Sequence, residues 1–139
     1  MTVFISAKQI KKRGDHVAAV PYILREAPAT LRQLIAMLVT DGVERYNRRI
    51  RGNQEPTVVT GEQLADMSQV GKIAFGIPFG GKAAELEPAL ETAFQGFEDG
   101  LYRVFVGEAE MGSLEAPLEL HEGDTITIIR LVMLTGGWL

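Results

Sequence analysis

The 139 residues of the chain include 46% hydrophobic and 23% charged side chains, a composition typical of one globular domain. The absence of cysteine excludes disulfide bonds, thiolate catalysis and cysteine-ligated zinc. The two histidines, His16 and His121, are far apart in the sequence and disfavour any other transition-metal site. We therefore predict no cofactor.

The N-terminal segment places its basic residues after a short apolar run, which is the reverse of a secretory signal. No apolar run approaches the ~18 residues that would span a bilayer. We therefore expect a cytoplasmic protein that has no membrane partner.

The net charge of −4 combines two halves of opposite sign. Residues 1–51 contain ten Lys or Arg and four Asp or Glu, which gives +6; residues 52–139 contain four and fourteen, which gives −10. This asymmetry marks either a basic face for an acidic partner or an attraction between the halves, and we favour the interpretation that needs no partner.

Two apolar, β-branched segments open the chain, at residues 3–10 and 17–24. The polar connector between them contains Gly14 and Asp15, a pair that is typical of a β-hairpin. Two antiparallel strands are therefore predicted.

A long amphipathic helix is predicted next from the helical spacing of its apolar residues. Thr30 and Gln33 have the spacing of a capping box and mark its start. Gly42 is a candidate for a kink or a division, since glycine costs roughly 1 kcal/mol against alanine in a helix interior. Gly52 and Asn53 are expected to end the helix. Its apolar side recurs at helical spacing: Leu31, Leu34, Ile35, Leu38, Val39, Val43, Tyr46 and Ile50.

The middle of the chain has weaker signals. Residues 53–61 are typical of a loop and residues 62–70 of a short helix. Residues 72–79 are predicted to be extended or irregular, because Gly76 and Pro78 interrupt their apolar run.

A second helix is predicted over residues 84–98, with its start near Glu85 so that Pro88 falls in the first turn. Asp99 and Gly100 are expected to close it. Its predicted apolar stripe is Leu86, Leu90, Ala93, Phe94 and Phe97.

The later strands are predicted at residues 101–106, followed by a turn at Gly107 and Glu108, within residues 109–120, and at residues 125–134. The last of these follows a polar turn over residues 122–124. Because it is apolar apart from its threonines and Arg130, it is expected to be central in the sheet and covered on both faces.

Residues 76–83 match the spacing GxxxxGK of a phosphate-binding P-loop, with Lys82 as the lysine. Ala83 occupies the position of the magnesium-binding hydroxyl residue, and no later strand ends in the aspartate that would supply a second contact. We interpret the segment as a glycine-rich turn before a helix.

Two groups of basic residues are candidate partner-binding positions. The helix dipole alone favours arginines in a last helical turn, yet the two groups together could bind nucleic acid or an acidic protein. An aromatic content of 7% and a pI of about 5.2 disfavour nucleic acid, which we keep as an alternative. The groups are Lys11, Lys12 and Arg13 in the first hairpin, and Arg45, Arg48, Arg49 and Arg51 at the end of the first helix.

Candidates for catalysis are few. His121 lies near Glu119 and Glu122 around a turn, and Asp15 lies beside His16. Adjacent residues in a turn seldom converge on one pocket, so both groups are typical of solvated turns. No enzyme is predicted.

Three stretches and the last glycines carry a resemblance to a known superfamily: residues 29–34, residues 103–108, and residues 118–129, which lead toward Gly136 and Gly137. The predicted order is strand, strand, capped helix, inserted helical segment and strands that end in a central one. The chain thus resembles the ubiquitin-like and sulfur-carrier members of the β-grasp superfamily, including the small subunit of molybdopterin synthase and the thiamine sulfur carrier. The resemblance covers residues 1–51 and 101–137.

The resemblance implies an α+β fold of ubiquitin-like β-grasp type, with a mixed sheet, one main helix and an inserted second helix. We expect a single domain over residues 1–139 with the insert at about residues 53–100. The implied function is that of a protein-interaction module without catalysis of its own.

A more specific function implied by the resemblance is that of a modifier or sulfur carrier whose tail is Gly136 and Gly137. Its partners would be an ATP-dependent activating enzyme and a peptidase that first removes Trp138 and Leu139. A glycine pair suits such a tail, because it can enter a narrow catalytic channel.

Overall fold

The computed structural model of the chain describes residues 1–10, 16–51, 70–71, 74–77 and 83–131. They form an α+β structure with a five-stranded mixed sheet and two helices, which confirms the predicted class. In chain order the elements are β1 (Thr2–Ile10), β2 (His16–Ile23), α1 (Leu31–Arg51), α2 (Leu86–Glu98), β3 (Tyr102–Val106), β4 (Ala109–Glu110) and β5 (Thr125–Leu131).

The strand order across the sheet is β2-β1-β5-β3-β4. β1 and β5 are parallel, and every other neighbouring pair is antiparallel. The predicted antiparallel pair at the start of the chain and the central position of the last strand are confirmed. Parallel neighbours need a long connection between them. Here that connection contains all the other described elements, which lie between β1 and β5 in the sequence.

One side of the sheet, which we call the inner face, is buried. Ile126 and Ile128 of β5 are 0% and 1% exposed, and their neighbours in β1 are Ile5 and Ala7. The buried side chains of both helices belong to the same core cluster. Full burial of an aliphatic side chain of this size contributes about 1.5–3 kcal/mol, so the inner face supplies much of the stability.

The opposite side of the sheet, the outer face, carries neither of the two described helices and is in part open to solvent. Along β5, Thr125 is exposed and Thr127 and Ile129 are partly exposed. The prediction that the last strand is covered on both faces is therefore wrong. An unbroken apolar run is typical of a strand with two buried faces, but in β5 the alternate residues Thr125, Thr127 and Ile129 are exposed or partly exposed.

α1 begins with a cap close to the predicted one. The backbone N–H of Gln33 donates to Thr30 Oγ1 at 3.3 Å, while Gln33 Oε1 accepts from the backbone N–H of Ala29 at 2.7 Å, one residue before the capping-box position. The helix runs without division through Gly42, which is buried. The predicted apolar side is buried, except that Ile50 is partly exposed.

The segment between β4 and β5 holds the N-terminus of α1 in place. The backbone N–H groups of Leu31 and Arg32 donate to the carbonyl oxygens of Ala116 and Leu114, at 3.0 and 2.8 Å. These bonds satisfy two of the amides that the first turn of a helix leaves without partners. The main helix is therefore fixed by residues that lie more than eighty positions later in the chain.

α2 begins after Glu85 and has Pro88 in its first turn, as predicted, and ends at Asp99. The predicted stripe is largely confirmed, because Ala93 is buried and Leu90, Phe94 and Phe97 pack against the core. Leu86 is 37% exposed, and the residues that face the core are small ones at helical spacing: Ala89, Ala93 and Gly96. The larger predicted residues flank this line and are partly buried: Leu90, Phe94 and Phe97.

The small residues of α2 make room for Tyr102 of β3. A Cβ atom at Gly96 would lie 3.3 Å from Tyr102 Cε1, and the Tyr102 hydroxyl donates to the carbonyl oxygen of Ala93 at 2.6 Å. The rings of Phe75 and Phe97 pack edge-on against Tyr102, with centroids 5.2 and 5.8 Å away. Tyr102 therefore joins α2 to the sheet.

The segment before α2 corrects another prediction. Ala74 and Phe75 have helical backbone, although residues 72–79 were predicted to be extended or irregular. Val70, Ala74 and Phe75 are each at most 1% exposed. Burial of these residues is compatible with helical backbone, which the interruptions at Gly76 and Pro78 obscured in the sequence.

Several predictions lie on residues outside the described part of the chain: the connector at residues 11–15, residues 52–69, residues 78–82, and residues 132–139, which include the end of the last predicted strand and the glycine pair. The single domain with an insert at about residues 53–100 stays a prediction.

Substitution of Tyr102 by Phe tests how α2 is joined to the sheet. Burial raises the pKa of Tyr102 above its ordinary value of 10.0, while Arg130 opposes this rise. The unfolded chain therefore loses this proton first as the pH rises above about 10, and folding loses about 1.4 kcal/mol per pH unit from this residue. Tyr102→Phe should lower the free energy of unfolding by about 1 kcal/mol at pH 7 and remove this part of the alkaline decline.

Urea unfolding at pH 7, 10 and 11 would measure both effects. Equal alkaline slopes in the wild-type protein and in Tyr102→Phe would contradict the burial of this hydroxyl.

Candidate functional site

The outer face of the sheet combines apolar side chains with solvent exposure. At the β1–β2 end, Phe4 is 36% and Ile23 is 72% exposed, and Pro21, which pairs with Phe4, is also exposed. Toward the other end, Ile129 of β5 and Phe105 of β3 are partly exposed. Large apolar side chains on an open sheet surface are typical of a protein interaction site.

Charged residues border the apolar part of the outer face. The register places Ile129 between Lys8 of β1 and Arg103 of β3. Lys8 is exposed, and Arg103 lies 3.8 Å from Glu110 in an ion pair that is open to solvent. Because such pairs contribute little, both cations remain able to bind carboxylates of a partner.

The edges of the sheet are poorly suited to the addition of another strand. The backbone N–H of Phe4 points away from β2 and donates to the carbonyl oxygen of Asp124. Phe4 and Pro21 therefore form a pair without hydrogen bonds between them, and the backbone groups of Pro21 point to the free edge of β2. Proline has no N–H to offer there, and the register of β1 and β2 shifts between Ile5 and Ala7. The other edge strand, β4, is two residues long.

A groove of about 480 Å³ lies between β2 and α1. Tyr22, Asp41 and Arg45 form a half-buried polar cluster in it, with Arg45 Nε donating to Asp41 Oδ2 at 3.0 Å. Burial raises the pKa of Tyr22, and the neighbouring Asp41 carboxylate raises it further. The tyrosine therefore stays neutral, and the cluster links the edge of the sheet to the helix without offering a nucleophile.

The predicted basic patch is only partly described. Lys11, Lys12 and Arg13 lie outside the described residues, as does the side chain of Arg49. Arg45 is bound to Asp41, while Arg48 and Arg51 are exposed near the end of α1. Within the described residues, the exposed cations of the predicted patch are therefore Arg48 and Arg51.

The carrier tail, Gly136 and Gly137, also lies outside the described residues.

Most of the P-loop-like segment, residues 76–83, lies outside the described residues as well. The first glycine of this segment, Gly76, is described and has φ +69°. A Cβ atom there would lie 2.8 Å from Arg130 Nη2, so this glycine allows the backbone to approach the guanidinium. The contact with Arg130 therefore explains why glycine occupies position 76 without any role in phosphate binding.

Arg130 is the charged residue whose position the sequence did not predict. It lies on the inner-face side of β5, opposite Tyr102, and its Nη1 donates to the carbonyl oxygen of Ala74 at 3.4 Å. Burial lowers the pKa of Arg130, and Tyr102 opposes this change. The carbonyl oxygen of Ala74 belongs to helical backbone that ends before Gly76, and carbonyl groups at the end of a helical segment attract cations such as this guanidinium.

The candidates for catalysis do not form a site within the described residues. His121 is 77% exposed and lies 3.7 Å from Asp124, and Glu122 accepts a bond from the backbone N–H of Thr2. Asp15 and the side chain of His16 lie outside the described part. No cluster of metal-binding side chains occurs among the residues that the structure describes.

Sequence reasoning missed Phe4, Ile23 and Phe105 as surface residues. The signal available in the sequence is that apolar residues occupy alternate as well as successive positions of the first and last strands. None of the described helices has the length and hydrophobicity required to cross a membrane. Comparison with protein-family models, curated proteins and solved structures finds no match to this chain.

Proposed function

We propose that the chain is a β-grasp protein that acts as a ubiquitin-like interaction module, without catalysis of its own. Support for the fold comes from the strand order β2-β1-β5-β3-β4, with the first and last strands parallel in the centre and the main helix after the first hairpin. This is the arrangement that the resemblance implied.

The observation that carries the function is the exposed apolar outer face. Ile23 is 72% exposed although it belongs to a regular strand, and Phe4 lies beside it. Burial of an aliphatic or aromatic side chain of this kind by a partner is favourable by about 1.5–3 kcal/mol. Since both edges of the sheet are blunted, a partner would bind side chains of the face and not the backbone of an edge strand.

The chemistry of the partner follows from the charges on this face. Ile129 lies between Lys8 and Arg103, so a complementary surface carries an apolar side chain with carboxylates on either side. The apolar contact would supply most of the affinity, and the two cations would fix the orientation. We therefore infer a protein partner with an apolar patch bordered by acidic residues.

Site-specific photo-crosslinking tests this proposal. A benzophenone amino acid in place of Ile23, in cells of the native host, should yield discrete adducts that mass spectrometry identifies. The same group in place of Glu87, an exposed residue of α2 on the other side of the sheet, should not yield them. With the purified partner, Ile23→Glu should weaken binding about tenfold in calorimetry, because it replaces an apolar contact with a charge.

Glu87→Gln is the matched control and should bind as the wild-type protein does. Equal affinity of the wild-type protein and Ile23→Glu, with unchanged melting temperatures, would refute the use of the outer face.

Covalent carriage through Gly137 is a second proposal. Support comes from the segment of the resemblance that leads toward the glycine pair. Its turn before β5 is present, with the Asp124 N–H donating to the His121 carbonyl oxygen at 3.0 Å. β5 then lies in the centre of the sheet. In this function a peptidase removes Trp138 and Leu139, and an activating enzyme adenylates the Gly137 carboxylate.

The intact mass of the protein from its native host distinguishes the two functions. Carriage predicts a species that lacks Trp138 and Leu139, with or without the added mass of a thiocarboxylate. Gly137→Ala should reduce conjugation or sulfur loading, while partner binding through the outer face stays unchanged. A full-length mass in every growth condition would contradict carriage and leave the interaction module untouched.

A further inference from the structure

A second concave surface lies on the side of the molecule away from the outer face. This groove, of about 620 Å³, runs along α2 toward the end of β5, and we call it the α2 groove. Leu101 and Phe94, both partly buried, provide its apolar lining, Arg32 Cζ lies 5.1 Å from the centroid of the Phe94 ring, and the buried Phe75 lies at its base. Such a lining can hold the aliphatic part of a long side chain.

Carboxylates border the same groove. Glu91, Glu98 and Asp99 line it, and all three are exposed. None of them takes part in an ion pair within the described residues. Asp99 Oδ1 accepts a hydrogen bond from Gln95 Nε2 at 2.9 Å, and a neutral amide leaves the charge of this carboxylate uncompensated. The apolar lining and the three carboxylates together match a side chain that has a long apolar stem and a cationic end.

Two of these carboxylates stand where a helix disfavours them. Glu98 is the last residue of α2 and Asp99 is its C-cap, and the last turn contains no basic residue. The C-terminal end of a helix is negative, so two acidic residues there repel the helix dipole as well as each other. A bound cation would relieve both repulsions.

The charge asymmetry of the chain stays largely unneutralised by internal pairs. Of the four ion pairs that the structure describes, only Arg32 with Glu115 joins the basic first part to the acidic remainder. Arg45 pairs with Asp41 within the first part. Within the described residues, none of these four pairs involves a carboxylate of α2, so its acidic surface is available to a partner.

Arg130 limits what the α2 groove accepts. It also lines the groove, so three carboxylates face one guanidinium. A ligand with cations along its whole length would meet this guanidinium, whereas a segment with one or two cationic side chains near the C-terminus of α2 would not.

We propose that the α2 groove binds a segment of a partner protein that carries one or two arginine or lysine side chains beside an apolar residue. The cationic ends contact Glu91, Glu98 and Asp99, and the stems pack on Leu101. Arginine suits the site better than lysine, because its planar guanidinium forms paired bonds with carboxylates. This binding is independent of the outer face.

A peptide titration followed by NMR tests the proposal. The probe is the blocked peptide Ac-Gly-Arg-Leu-Arg-Gly-NH2, added to the full 15N-labelled chain. Backbone amide shifts should be concentrated at Thr92, Gln95 and Leu101, which line the groove. The matching peptide with glutamate in place of arginine should cause no such shifts.

Variants of equal charge provide the control. Glu91→Gln combined with Glu98→Gln should weaken binding about tenfold. Glu108→Gln combined with Glu119→Gln removes the same charge from exposed positions elsewhere and should change the affinity by less than about twofold. The first pair should also leave the melting temperature unchanged or slightly raised, because it relieves the repulsion at the helix end.

Two results would overturn the proposal: equal weakening by both pairs of substitutions, which indicates attraction by net charge alone, or shifts spread over the surface. Ile23→Glu should bind the peptide as the wild-type protein does, so a failure of the outer-face function would be recognised separately.

Discussion

The parallel pairing of β1 with β5 is the constraint on which the described structure depends. It brings together the first and last described strands, in a register that runs from Phe4 and Thr125 to Ile10 and Leu131. Both strands place aliphatic side chains on the inner face, where the helices cover them. Because contacts so distant in sequence require most of the chain to be ordered first, this pairing makes the sheet and the helices interdependent.

The same pairing explains where partners can bind. With the helices on the inner face, the alternate residues of β1 and β5 are left on the outer face, and they include Phe4 and Ile129. Pro21 and the shortness of β4 restrict the edges of the sheet, so the face itself is the accessible part. α2 adds a second surface of opposite character, with an apolar groove bordered by carboxylates. The proposed partners therefore differ in charge: one is acidic at its border and the other is basic.

The sequence predicted the elements better than the surfaces. The hairpin, the Thr30 cap, the start of α2 and the central last strand depend on local signals, and these survive folding. The sequence did not show which face of β5 is covered, because an apolar run looks the same with one or two buried faces. In α2 it indicated most of the core-facing side correctly, but it included the exposed Leu86 and missed Gly96, whose lack of a side chain allows the close approach of Tyr102. Arg130 was missed because its contact with Ala74 depends on tertiary structure.

The most direct test of the account is the solvent accessibility of isoleucine methyl groups, measured by NMR with a soluble paramagnetic agent. The central claim is that one face of the sheet is covered and the other is open. Ile128 should be strongly protected and its neighbour Ile129 clearly less so, while Ile23 should relax fastest, in line with exposures of 1% for Ile128 and 72% for Ile23. Protection of Ile23 and Ile129 equal to that of Ile128 would show that the outer face is covered and would contradict the account.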